Sequence, residues 1–99
     1  MKPPTKSHYD WLMRQLKDPK FAAAYLTACL EDEDEDEGGF LLALRDVADA
    51  QGGVRALAKK TGLNREHLFR MLSKSGNPQL HSLRQLTGAV GMKLVLQPA

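Results

Sequence analysis

Residues 54–73 read VRALAKKTGLNREHLFRMLS, and the spacing within this stretch decides the fold. Val54 to about Thr61 predicts one helix, Gly62-Leu63-Asn64 a turn, and the residues after it a second helix ending near Leu72. Two helices that cross closely need small or apolar residues where they touch, and the turn between them needs a residue that tolerates a left-handed backbone. Leu57 and Ala58 fit the inner face of the first helix, and Gly62 fits the turn. Leu63 plugs the core behind it, and Leu68 and Met71 form the inner face of the second helix. Asn64 is placed to cap that helix, and Glu66 falls in its first turn, where a negative charge suits the dipole.

The outward residues of the second helix are then Arg65, Glu66, Phe69 and Arg70, with His67 towards one flank. A helix of this kind lies in the major groove of DNA with its N-terminal residues towards base edges. Each arginine suits a bidentate pair with guanine, Glu66 suits a cytosine amino group, and Phe69 suits a thymine methyl or the rim of the interface. A second role open to Phe69 is packing against the loop Ser75–Pro78. Arg55, Lys59, Lys60, Asn64, Lys74 and Asn77 are expected at phosphates, which fix register without reading sequence. A helix pair with a glycine turn also occurs in bundles that bind nothing. Charge favours nucleic acid here, because residues 54–77 carry six Lys/Arg against the single Glu66.

Outward from this stretch the chain reads as helical nearly throughout. Phe40, Leu41, Leu44, Val47 and Ala48 follow the stripe of a core-facing helix, stopped by Gln51-Gly52-Gly53. Leu80, Leu83, Leu86 and Val90 mark a last helix closed by Gly91. Towards the N-terminus, Ser7 is expected to cap a short helix bearing Trp11, Leu12 and Leu16, after an irregular start over residues 1–6. Asp18-Pro19 begins another helix: the carboxylate caps, and proline fits the first turn. Phe21, Tyr25 and Cys29 form one stripe of that helix, with Ala22, Leu26 and Leu30 beside it. The tail Met92–Leu96 alternates like a strand, with Met92, Leu94 and Leu96 on one face. A lone strand cannot satisfy its own backbone. The tail therefore either lies extended on the helices or pairs with its copy across a two-fold axis, making a dimer.

The net charge of +2 conceals a sharp division: residues 1–30 carry +3, Glu31–Glu37 carry −7 and residues 38–99 carry +6. The acidic run reads as a solvated linker, as a mimic of DNA phosphate, or as a docking strip for a basic partner. It lacks the glycine turn and spaced ligands of a calcium loop. The sequence shows no glycine-rich phosphate loop, no nucleophile-and-base constellation and no Cys/His cluster, so neither an enzyme nor a cofactor or metal site is expected. There is no apolar run of membrane-spanning length and no signal-like start, and Cys29 has no internal partner for a disulfide, which points to the cytoplasm.

Several local runs carry a family resemblance: Leu16-Lys17-Asp18-Pro19, Ala22-Ala23-Ala24-Tyr25-Leu26, Phe40-Leu41-Leu42-Ala43-Leu44-Arg45-Asp46-Val47, the helix pair, and Gly76-Asn77-Pro78. From about Leu16 to Leu96 the chain resembles addiction-module antidote proteins, the antitoxins of type II toxin–antitoxin systems with an Xre/HigA-like DNA-binding domain. The resemblance implies an all-α bundle holding a lambda-repressor-like helix-turn-helix, and places Arg65, Glu66, Phe69 and Arg70 at recognition positions. It implies a repressor that binds operator DNA as a homodimer and neutralises a small basic toxin of the RelE/ParE or HigB type. The family's acidic stretch is typically shorter and mixed, so the run Glu31–Glu37 is distinctive. Two parts are expected: 1–37, an N-terminal helical segment facing the toxin, and 38–99, the DNA-binding domain with its dimerisation strand. The competing reading is a helix-turn-helix regulator with no toxin partner.

Overall fold

In the computed structural model, which describes residues 5–34 and 36–99, six helices follow one another: α1 (Lys6–Gln15), α2 (Pro19–Glu31), α3 (Glu37–Ala50), α4 (Gly53–Thr61), α5 (Arg65–Met71) and α6 (Leu80–Ala89). The expectation of an irregular start falls mainly on residues 1–4, which lie outside the described residues, as does Glu35 of the acidic run.

Most helix boundaries are set by short-range chemistry. The Asp18 carboxylate accepts from the Lys20 N–H at 3.0 Å, with Pro19 in the first turn of α2. The cap of α1 differs from expectation: Thr5, not Ser7, accepts from the His8 N–H at 3.1 Å, and Ser7 lies inside the helix. Either hydroxyl can cap, and the choice falls where three further N–H groups are already in helical register. The acidic run also does more than end α2. Asp36 caps α3 by accepting from the Gly39 N–H at 3.3 Å, and Glu37 is its first residue. Charges that oppose the dipole behind α2 therefore favour the one ahead of α3.

The core is one apolar cluster built around α3, which packs against α1, α2 and α4. Phe40, Leu41, Ala43, Leu44, Val47 and Ala48 are all buried along α3. From α2 the innermost residues are Ala22 and Leu26, while the Phe21, Tyr25 and Cys29 stripe lies half-buried at their flank. Leu16, at the end of α1, is completely enclosed. Leu68 and Leu72 close the cluster from α5 and its cap, and Leu86 and Val90 from α6. Gln51 donates from its side-chain amide to the Val90 carbonyl at 3.1 Å, tying the end of α3 to the end of α6. Residues on both sides of position 37 thus share one core.

The C-terminal strand is not seen. Among the described residues none is in a β-strand, and Met92–Ala99 has no regular secondary structure. The reason is local. After α6, Gly91 turns left-handed at φ 81°, its N–H donates to the Gly88 carbonyl at 3.0 Å, and the Met92 N–H donates to the Thr87 carbonyl at 2.9 Å. These two bonds form a Schellman cap, and the apolar residue just beyond such a cap packs back on the helix. Met92 does so, half-buried against the core. The face expected to hold Met92, Leu94 and Leu96 together is divided: Met92 faces inward, Leu94 is 40% exposed, and Leu96 is free of all cover. Within one chain no neighbouring backbone completes a ladder, so alternation alone produces no strand.

Candidate nucleic-acid interface

The pair α4–α5 is held by the residues its spacing predicts. Val54 and Leu57 of α4 and Leu68 and Met71 of α5 are buried, and Ala58 is half-buried between the helices. Gly62 ends α4 at φ 74°, its N–H donating to the Ala58 carbonyl at 2.8 Å. That left-handed position strains any residue with a Cβ. Thr61 reinforces the turn from both sides: its hydroxyl donates to the Leu57 carbonyl at 2.8 Å and accepts from the Leu63 N–H at 3.2 Å. Asn64 then caps α5, its side-chain oxygen accepting from the His67 N–H at 2.9 Å. The direction in which α5 leaves the core is therefore fixed by three positions within four residues, Thr61, Gly62 and Asn64.

With Leu68 and Met71 turned inward, Arg65, Glu66, His67, Phe69 and Arg70 are all exposed. Arg65, Glu66, Phe69 and Arg70 follow an i, i+1, i+4, i+5 pattern and share one face of the helix. Arg55, Lys59, Lys60, Lys74 and Asn77 are exposed too, Lys59 and Lys60 in the last turn of α4. Beside α5 a shallow depression of about 460 Å³ is bordered by His67, Arg70, Ser73, Ser75 and Asn77. It brings Arg70 of the helix and Asn77 of the following loop to the same concavity. Met92, Leu94 and Leu96 take no part in it.

Phe69 has a neighbour that sequence did not identify. The Arg45 guanidinium of α3 lies 4.8 Å from the centroid of its ring, a cation–π contact. The residues are 24 positions apart on different helices, and no local spacing joins them. Arg45 is itself placed among carboxylates. It lowers the pKa values of Asp46 and Asp49 on its own helix, although burial, the larger effect on each, pushes both above the usual carboxylate range. Asp46 accepts a hydrogen bond from the Tyr25 hydroxyl at 3.0 Å, and burial together with the Asp46 charge raises the Tyr25 pKa strongly. The surface of α5 is thus connected through Arg45 to a polar group seated between α2 and α3.

Among the described residues no group of His, Cys, Asp and Glu is arranged to hold a metal ion, and no helix is long and apolar enough to cross a membrane. Compared with known protein families, residues 6–98 match the family model described as "probable addiction module antidote protein". The chain belongs to this family. No curated protein and no solved structure matches it. Family membership makes the chain the antidote of a toxin–antitoxin system and implies a cognate toxin as its partner.

Proposed function

We propose that this antidote protein is also a sequence-specific DNA-binding repressor, with α4–α5 as its helix-turn-helix and α5 as its recognition helix. The observation that carries the reading is the capped, glycine-turned α5, which presents Arg65, Glu66, Phe69 and Arg70 on one exposed face, flanked by the cations of α4 and the following loop. Arg65 and Arg70 read guanine edges, Glu66 a cytosine amino group, and Phe69 a thymine methyl. Arg55, Lys59, Lys60, Asn64, Lys74 and Asn77 hold phosphates.

Reading an inverted repeat requires two copies. The tail supplies them in this proposal: Leu94 and Leu96 are exposed apolar residues on an extended segment that gains its missing hydrogen bonds from the same segment of a partner. The N-terminal part, residues 1–37, faces a basic toxin of the RelE/ParE or HigB type, and residues 38–99 face the operator. Both activities belong to the cytoplasm.

A footprint on the protein's own promoter, with a salt series, tests the DNA reading. Arg65→Ala and Arg70→Ala are each expected to weaken operator binding by about 1–3 kcal/mol and to relax specificity at the contacted base. Lys59→Ala is expected to weaken all sequences alike and to flatten the salt dependence. Half-sites should lie about 10 bp apart, one helical turn, or a multiple of it. Operator binding left intact by both arginine substitutions would remove α5 from the groove.

A further inference from the structure

On the side of the molecule where α2 ends and α3 begins, a groove of about 490 Å³ opens among Leu30, Phe40, Leu41, Leu83 and Leu94, with Glu37 as the charged residue in its lining. That volume is within the range of built ligand clefts, about 300–1,000 Å³. Its walls come from α2, α3, α6, the tail and Gly76-Asn77-Pro78 of the loop before α6, so tertiary packing rather than one segment makes it. Leu30 is 58% exposed at its edge. Two smaller depressions share Leu30 and Phe40 with the groove; one reaches Lys93 and the other Asp36. The loop that rims this end carries the exposed carboxylates of Asp32, Glu33, Asp34 and Asp36.

We propose that this groove, with its apolar floor and the acidic rim at the junction of α2 and α3, is the docking site for a cationic, apolar-faced segment of the cognate toxin. The proposal rests on the antidote reading and adds to it a surface and the chemistry of what it takes. The apolar lining buries the segment's hydrophobic side chains, and the carboxylates draw and orient its cations. The charge is one-sided: residues 31–37 hold seven acids in succession, while the rest of the chain is net positive, so a basic partner is steered to this end and repelled from α5. Asp36 is held at the start of α3, where its carboxylate accepts from the Gly39 N–H, and Glu37 follows it as the first residue of the helix.

Calorimetric titration of the full chain with its toxin, supplied as the product of the adjoining gene, tests the assignment. Leu30→Lys places a cation and removes apolar surface at the groove edge, and should weaken the toxin at least tenfold. Glu37→Gln should weaken it less and flatten its salt dependence. His81→Ala, exposed on α6 and outside the groove lining, should change nothing. Because Leu30 is largely exposed, Leu30→Lys should keep the wild-type circular dichroism melt, and Thr27→Lys, also exposed on α2, repeats the test where the groove continues. Toxin bound within twofold of wild type by all three groove variants would overturn the groove and leave the antidote reading standing. A wild-type chain that binds no toxin would overturn both. A change from dimer to monomer on Leu30→Lys in sedimentation would assign the groove to a second copy of this chain and overturn the toxin assignment.

Discussion

At the residue scale Gly38, together with Gly76, is among the most demanding positions. In the first turn of α3 its Cα is pressed against the Lys74 carbonyl beyond α5, so that a Cβ there would overlap backbone. Gly38→Ala should lower stability by about 1–3 kcal/mol, the usual magnitude for overpacking a site that cannot relax, and a urea titration would register it as a reduced midpoint. Gly38 and Lys74 are distant in sequence, and nothing in their neighbours announces the contact. Gly62 is the contrary case: its need follows from the three-residue turn Gly62-Leu63-Asn64, and the sequence states it. Asp46 gives a pH-dependent prediction. Its pKa is raised chiefly by burial, with the Tyr25 hydrogen bond and Arg45 opposing and Asp49 adding to the rise. A raised folded value means the folded state holds the proton more tightly than the unfolded chain. The contribution is present in full below the ordinary carboxylate pKa, about 3.9, and is lost as pH rises through the folded value. Asp46→Asn keeps an acceptor for Tyr25 and removes the buried charge. Its melting temperature should therefore exceed wild type at pH 7, with the gain vanishing below pH 4. A lower melting temperature at pH 7 would show that the ionised carboxylate is needed.

At the scale of elements, legibility followed the range of the interaction. Asp18-Pro19, Gly62 and Asn64 act within three or four residues, and the structure uses each as the sequence announces it. Asn64→Ala should accordingly cost about 1 kcal/mol of stability through the lost cap, measurable in the same urea titration. At α1 the cap falls two residues earlier than the sequence suggests, on Thr5 rather than Ser7, although either hydroxyl can serve. The acidic run was legible as charge but not as structure: Asp36 is indistinguishable from its neighbours until α3 is known to begin at Glu37. The tail misled because alternation is only half of a strand. The other half is a hydrogen-bonding neighbour, and the cap at Gly91 instead folds Met92 into its own core.

For the molecule as a whole, the apolar periodicity of Phe40–Ala48 identified the central helix, and the core formed around it as expected of a stripe that wide. Which surface pairs with what was not legible. Arg45 on Phe69 and the groove beside Leu30 arise where separate helices come together, and no segment contains them. The dimer is a prediction at this scale. Deleting Val95–Ala99 removes exposed residues only and leaves Met92 in place, so the melt should barely move. Sedimentation should nevertheless change from dimer to monomer, and a truncated chain that stays dimeric would place the two-fold axis elsewhere.

One feature of α1 makes part of this behaviour directly visible. Trp11 is the chain's single tryptophan, and it stands edge-on to Phe21 with ring centroids 5.9 Å apart and planes at 88°. No residue within α1 is buried, and the helix is anchored chiefly by Leu16 just beyond its end. An element held so lightly opens below the global transition. The indole is therefore an intrinsic fluorescent reporter of that opening. On heating or in urea, its emission should shift to the red before the helical ellipticity falls, separating release of the N-terminal helix from melting of the core in a single unlabelled sample.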